Sequence, residues 1–582
     1  MTRDADTVLP RDWWKSAVVY QIYPRSFADS NGDGVGDLPG IIARLEYLQA
    51  LGVDVIWLSP VYRSPMDDGG YDISDYEDVD PIFGTIADLE RLLEQAHARG
   101  IKILMDLVVN HTSDEHAWFA QSRTSRDSAT ADWYIWRDPR PGKIGGEPGA
   151  EPTNWGSFFS GSAWQWEPAR GQYYLHLFSA KQPDLNWENP QVRAAVYAMM
   201  NRWLDRGVDG FRMDVINLIS KRAYVDAPVP PGGQFGSAFH EVACGPRLLE
   251  WLQEMHAAVF AQRPAGLLTV GEMPGVSVEH ARDYTAADQR ALDMVFQFEH
   301  VDLDSGPGGK WDLQPLRLSA LKDSLGRWQA GLADRGWNSL YWDNHDQPRA
   351  VSRFGSDAPA YLAASAKALT TVLHLHRGTP YLYQGEELGM TNFPFAGIAD
   401  FVDLESVNHY AEAVAAGQDP QRILAALRRK GRDNARTPMQ WDASEHAGFT
   451  TGTPWLAVNP NYPHINAADQ VQDPDSVFAH TQAVIALRHT LPVVAHGDFT
   501  MLLPQDERVY AFERALGEDR ILVVGNLSGD AAVPAPVPEA LHWAAAPVLL
   551  ASGGKNSGAS EPALDCPIIL GPWECRVLRR QA

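Results

Sequence analysis

VDGFRMDVIN, residues 208–217, is a short apolar run that turns polar toward its end, with Phe211 and Met213 alternating with Arg212 and Asp214. A run of this length, bounded by turn-forming residues, reads as a strand buried on both faces. Seven further runs read the same way: AVVYQIYP (17–24), VDVIWLSP (53–60), IKILMDLVVNH (101–111), LLTVGEM (267–273), LDMVFQFE (292–299), WNSLYWDNHD (337–346) and TPYLYQGEE (379–387). Between them lie stretches such as Leu38, Ile41, Ile42, Leu45, Leu48 and Ile86, Leu89, Leu93, Ala96, whose spacing gathers apolar side chains on one helical face. Strand and helix alternating eight times predict an α/β fold, a parallel (β/α)8 barrel.

Two stretches break the alternation. Residues 112–183 separate the third strand from a helix expected at about 190–206, far more than the ~2–6 residues of an ordinary βα loop, so they read as an inserted domain. After a helix at 474–490 the pattern changes to FTMLL (499–503), RVYAFER (508–514) and RILVVGNL (520–527), short segments with turn residues between them. The expected organisation is a barrel over 1–111 and 184–492, the insert over 112–183, and an antiparallel β-domain over 493–582.

The chain has 582 residues, with 49 Lys and Arg against 74 Asp and Glu, a net charge of −25. That balance argues against a nucleic-acid partner, which needs a basic stripe. No run approaches the ~18 apolar residues of a membrane span, and the start, MTRDADTVLPRDWW, lacks the basic and apolar regions of a signal peptide. A soluble, cytoplasmic protein, monomer or homodimer, is expected. Cys244, Cys566 and Cys575 are too few for a disulfide scaffold, although a Cys566–Cys575 bridge stays open. The 20 Trp, 20 Phe and 19 Tyr suit packing and also the apolar faces of sugar rings, which leaves Trp155, Trp164 and Trp166 of the insert open to either use.

In such barrels the active site lies where the strands end at their C-termini. Four runs close in ionisable residues: Asp106 with Asn110 and His111, Arg212 with Asp214, Glu272, and His345 with Asp346. Carboxylates crowded on one rim repel one another, which is hard to explain as packing. Arg212 and Asp214, two apart on a strand, share a face, so the guanidinium is expected to keep Asp214 ionised as a nucleophile. Glu272, near other carboxylates, should hold a proton for a leaving group. A nucleophile and an acid paired in this way match retaining glycoside hydrolysis. Asp346 would add negative potential where positive charge develops, with His111 and His345 donating to sugar hydroxyls.

DLVVNH (106–111), GFRMD (210–214), GEM (271–273) and NHD (344–346), with QPDLN (182–186), resemble the conserved regions of the α-amylase superfamily, glycoside hydrolase family 13. Longer strings, among them GYDISDY (70–76), HDQPRAVSRFG (345–355), YQGEELGMTN (383–392) and GRDNARTPMQWD (431–442), are similar to oligo-1,6-glucosidases and related α-glucosidases. The resemblance implies Asp214 as nucleophile, Glu272 as acid/base and Asp346 as transition-state stabiliser. It further implies that Asp72 grips the terminal glucose, that Tyr71 stacks on its ring and that Arg432 closes the pocket, permitting release of one glucose at a time from a small neutral oligosaccharide. Val215, after the nucleophile, matches members that favour α-1,6 bonds, so isomaltose should be cleaved faster than maltose.

DSNGDGVGD (29–37) offers oxygen ligands at Asp29, Asn31, Asp33, the Val35 carbonyl and Asp37, the alternate-residue spacing of a calcium loop, with Gly34 at the sharp turn. The twelfth position is Gly40 instead of Glu, so the reading is a structural Ca²⁺ or Mg²⁺, with no cofactor for catalysis; an Asx-rich turn without metal is the alternative. Two functional alternatives also stand. One is a transglucosylase or sucrose-isomerising enzyme on the same scaffold, although FQFEHVDLDSGPGGKW (296–311) lacks the Arg-rich motif of isomaltulose-forming relatives. The other is a non-catalytic transporter-associated binding protein, against which the intact carboxylates and the lack of a membrane anchor argue.

Overall fold

The computed structural model describes residues 12–229, 233–553 and 568–581. Its centre is an eight-stranded sheet of β1 (Val19–Ile22), β2 (Val55–Leu58), β3 (Lys102–Val108), β4 (Gly210–Asp214), β5 (Leu268–Glu272), β6 (Met294–Phe296), β7 (Ser339–Leu340) and β8 (Thr379–Tyr383). The spatial order is β6-β5-β4-β3-β2-β1-β8-β7, with every pair parallel. A parallel bridge between Val295 and Asn338 joins the two ends, so the sheet closes into the expected barrel. All eight expected strands form, because runs buried on both faces carry a signal that alternation in a half-exposed strand would not.

The surrounding helices start where the local chemistry dictates. Thr85 and Asp88 make a reciprocal capping box at the head of Ile86–Ala98, and Asn189 caps Pro190–Asp205, whose proline sits where no amide donor is needed. The helix expected across residues 38–48 is divided at Arg44 into Leu38–Ala43 and Leu45–Leu51. Elements that periodicity did not announce also appear beyond the strand ends. These are the antiparallel pair Tyr62–Arg63 with Asp75–Val79, the hairpin Ser305–Gly306 with Gly309–Leu313, and the helices Leu404–Ala415 and Pro420–Lys430.

Within residues 112–183, Trp136–Arg137, Trp164–Glu167 and Gln172–Leu175 form a three-stranded antiparallel sheet. Its core is not self-contained: Trp155, Trp164, Tyr173 and Leu175 pack with Leu218, Val242 and Ala243 from the chain beyond β4. Trp155 and Trp164 are therefore packing residues, and Trp166 lies partly buried against the same cluster. After the barrel, Asp498–Leu502, Val509–Leu516, Asp519–Asn526, Cys575–Gln581 and Val548–Ala551 build a five-stranded antiparallel sheet, and Val533–Pro534 pairs with Ile569–Leu570 in a second layer. Cys575 is buried, and Cys566 lies outside the described residues. Among the described residues no helix is long and apolar enough to cross a membrane.

Candidate active site

The strand ends deliver their ionisable side chains to one rim. Arg212, fully buried on β4, organises it: Nη1 donates to Asp106 Oδ1 at 2.8 Å and to Asp214 Oδ1 at 2.7 Å, and Nη2 lies 2.5 Å from Glu272 Oε1. Register explains the meeting, since Asp106 pairs with Arg212 across β3 and β4, and Val270, two residues before Glu272, pairs with Arg212 across β4 and β5. The indole of Trp57 lies 4.8 Å from the guanidinium and donates its N–H to Asp106 Oδ2 at 3.0 Å. The backbone N–H of Val215 donates to Glu272 Oε2 at 3.1 Å, from a residue held at φ 34°.

One cation thus serves three carboxylates. Burial, and then the charges of Glu272 and Asp106, push the Asp214 carboxyl up against the opposing pull of Arg212. Burial also raises Glu272, with the charges of Asp346 and Asp106 adding to it. The guanidinium expected to keep Asp214 ionised is thus shared with Asp106 and Glu272.

Asp346 stands apart. Burial would raise it, but the Arg432 and Arg436 guanidiniums overcome that and hold it well below the carboxylate range. Its side chain is 30% exposed against 10% for Asp214 and none for Arg212, so it sits nearer the mouth. Arg436 Nη2 contacts Asp346 Oδ1 at 2.7 Å and Arg432 Nη1 contacts it at 3.3 Å. Arg432 also bonds Asp403 and reaches Asp68 Oδ1 at 3.0 Å. Arg436 is thus as close to Asp346 as Arg432 is.

The two histidines are neutral, pushed down by burial to about 3 for His345 and about 4 for His111. His345 Nδ1 meets the Gln21 amide at 2.8 Å, and His111 Nε2 meets the Tyr71 carbonyl at 3.1 Å. Tyr71 donates its hydroxyl to Asp106 Oδ2 at 2.9 Å and stacks on His345 at 4.9 Å between ring centroids, so one ring face is covered by protein.

Asp72 is not brought to the pocket. It is fully buried and accepts from the Ser64 hydroxyl and the N–H groups of Asp67 and Asp68, which fold the turn around it. Asp68 occupies the place expected of it, between Arg432 and the Gln182 amide, which donates to Asp68 Oδ2 at 3.1 Å. Burial pushes Asp68 up to about 7 despite the two arginines. Phe159 packs under Arg432 at 4.8 Å and Phe178 against His111 at 5.1 Å, both from the insert. The signal that could have found Asp68 is the Gly69–Gly70 step that follows it, both residues at positive φ.

The 29–37 loop is closed by its own side chains. Asp29 accepts from the N–H groups of Asn31, Gly32 and Gly34, Asn31 from Asp33, and Asp33 from Val35. Asp37 caps the following helix through the Gly40 N–H at 2.7 Å. Among the described residues no group of three or more His, Cys, Asp or Glu side chains is arranged to hold a metal ion. A cavity of ≈ 800 Å³ opens at the opposite end of the barrel, near Lys15, Asp293 and Trp337, and contains none of the expected residues.

Residues 21–497 match the α-amylase catalytic domain. An oligo-1,6-glucosidase from Parageobacillus thermoglucosidasius is 53% identical over 98% of this chain and 99% of its own length. The crystal structure of a trehalose-6-phosphate hydrolase from Bacillus licheniformis superposes with a TM-score of 0.90 at 44% identity, covering 97% of this chain and 99% of that one. A trehalulose synthase structure does so with a TM-score of 0.90 at 41% identity, over 98% of this chain and 100% of that one.

Proposed function

The chain belongs to the α-amylase superfamily of glycoside hydrolases, and on that premise we propose that it is a retaining, exo-acting enzyme of short α-glucosides that passes a glucosyl group to water or to a second sugar. The observation that carries this is the single guanidinium of Arg212 bridging Asp214 and Glu272. Two carboxylates on one guanidinium favour the close spacing of a retaining pair, about 5–5.5 Å, over the ~6.5–9.5 Å of an inverting one.

In the proposed mechanism Glu272, protonated, gives its proton to the glycosidic oxygen as that bond to the anomeric carbon breaks. Asp214 attacks the same carbon and forms a β-glucosyl ester. The Glu272 carboxylate then takes a proton from the acceptor hydroxyl, whose oxygen displaces Asp214 and restores the α configuration. Asp346, ionised and near the mouth, stabilises the oxocarbenium-like charge. Asp68, Arg432, Gln182 and the two neutral histidines bind the hydroxyls of the terminal glucose, and Val215 borders the leaving group. Glucose release stereochemistry followed by NMR tests the retaining assignment: initial β-glucose, or an Asp214→Ala variant with native circular dichroism and undiminished turnover, would sink it.

Two finer readings follow. Hydrolysis preferring α-1,6 bonds rests on Val215 and on the oligo-1,6-glucosidase likeness. Glucosyl transfer or sugar isomerisation is backed more broadly, because the similar proteins include a trehalulose synthase as well as hydrolases, and what these share is delivery of a glucosyl group. A panel of isomaltose, maltose, sucrose and trehalose separates them. Isomaltose turned over fastest to free glucose supports the first; new disaccharides exceeding free glucose from sucrose support the second.

The 29–37 loop supplies only oxygen donors, the chemistry of Ca²⁺ or Mg²⁺, and a structural cation is proposed there, outside the reaction. Protein purified without chelator should contain about one divalent ion per chain and melt lower after chelation, with reloading restoring the transition. Equal melting and no bound ion would reduce the loop to an Asx-rich turn.

A further inference from the structure

Among the described residues, the buried carboxylate oxygens that lack a hydrogen-bond donor include Asp343 Oδ1 and both oxygens of Glu386, beyond the ends of β7 and β8. Asp343 follows β7 and is 2% exposed; Glu386 follows β8 and is 7% exposed. The two side chains face the same small cavity. An ionised carboxylate only accepts, so two of them cannot bond without a proton between them.

No protein donor around the pair supplies a substitute. They line a cavity of ≈ 10 Å³, room for one water, whose other walls include Ala350, Val351, Ala366, Leu369 and Met390. The charged groups facing Asp343 are Arg349 and Arg353, and the one facing Glu386 is Glu387. Arg349 spends its guanidinium on the Gln384 and Asn434 carbonyls, and Arg353 is paired with Asp304. Glu387 is occupied by the Tyr20 and Tyr47 hydroxyls and the Gly385 N–H. The other Asp343 oxygen, Oδ2, accepts the Ala350 N–H at 2.8 Å and so closes the turn that carries His345 and Asp346.

We propose that Asp343 and Glu386 share one proton, and that this carboxyl–carboxylate hydrogen bond is a positioning device: it ties the chain leaving β7 to the chain leaving β8 and fixes the turn that presents His345 and Asp346. Burial moves both groups in the direction the sharing requires, Asp343 up to about 6 and Glu386 well above the carboxylate range, the latter helped by the Asp343 charge. The folded chain therefore holds a proton that the unfolded chain loses above about pH 4.3. Its contribution to stability is complete below that pH and declines as pH rises toward the folded value.

Glu386→Gln tests this, because an amide donates to Asp343 at every pH. Melting of wild type and variant is compared from pH 5 to 9, with kcat and KM measured at pH 7 for Glu386→Gln and Glu386→Ala. The expected result is a melting-temperature advantage of Glu386→Gln that grows with pH. Glu386→Ala should lower kcat about tenfold with a smaller change in KM, and Glu386→Gln should recover it to within about threefold. A difference in melting that is flat with pH, or a Gln variant as impaired as the Ala variant, overturns the proposal. So does wild-type melting that rises with Na⁺ concentration and is lost in Glu386→Gln, which would assign a bridging cation in place of the proton. The kinetic arm rests on the proposed roles of His345 and Asp346, whereas the melting arm does not, so failure of the one reading is distinguishable from failure of the other.

Discussion

Asp68 and Asp72 lie in one short string, DDGGYD, and the backbone decides which of them faces the pocket. Gly69 and Gly70, at φ 59° and 107°, reverse the chain so that Asp72 turns inward to hold the 64–68 turn while Asp68 meets Arg432. Replacing each by alanine should therefore separate two effects. Asp68→Ala should lower kcat/KM on a disaccharide about 100-fold or more, as expected for a lost charged contact to substrate, with little change in melting. Asp72→Ala leaves the Ser64 hydroxyl and two amides without an acceptor and should cost about 1–3 kcal/mol of stability, with a smaller loss of kcat/KM. The reverse pattern would return the sugar-binding role to Asp72. The motif placed a carboxylate here, but residue spacing could not choose between two aspartates four apart, because positive-φ glycines send the chain in directions that neither strand nor helix periodicity encodes. Val215 is a similar case. A β-branched residue at φ 34° stores strain of about 1–3 kcal/mol, and the structure couples that strain to an N–H aimed at Glu272, which a reading of side chains alone does not reveal.

At the scale of elements, the strands were legible and the structure beyond them was not. Each barrel strand is a run buried on both sides, whereas the helices Leu404–Ala415 and Pro420–Lys430 follow β8 as an excursion whose advance signs are an Asp before each and a proline opening the second. The first of those caps does two things. Asp403 Oδ2 accepts the Ser406 N–H at 3.1 Å as N-cap, while Oδ1 holds Arg432 and Arg436. The helix end and the pocket wall are thus one construction, and the dipole of the helix favours the anion that orients both arginines. Asp403→Asn and Asp403→Ala should both lower kcat/KM about tenfold or more through the released arginines. Only the alanine also removes the cap, so it should be the less stable of the two by about 0.5–2 kcal/mol in denaturant unfolding. Equal stability of the two variants would show that the carboxylate serves the pocket alone.

For the whole molecule, the expected division into barrel and β-domain understates how far the two share one interior. Val372 and Leu369, from the helix before β8, pack in the same cluster as Tyr510, Phe512, Ile521 and Val577 of the C-terminal sheet. Buried cations bound by backbone carbonyls cross the same boundary. Lys322 of the barrel helix Leu318–Gly331 donates to the Leu503, Asp506 and Val509 carbonyls. Arg514 of the sheet donates to the Leu375, Val494 and Gly497 carbonyls, at 2.8, 2.6 and 2.6 Å. Burial lowers the affinity of Arg514 for its proton well below the usual arginine range, with Arg488 and Arg377 adding to the effect, so its charge is tolerated only because carbonyl dipoles converge on it. Removing the side chain leaves those carbonyls without donors and opens a gap where the two units meet. Arg514→Ala should cost about 2–5 kcal/mol. Because core and carbonyls belong to both units, scanning calorimetry should show one transition for the wild type and one, at lower temperature, for the variant. Two resolved wild-type transitions, or an Arg514→Ala variant in which only one of two transitions moves, would mean that barrel and sheet unfold independently and that the carbonyl-bound cations decorate the boundary without coupling it.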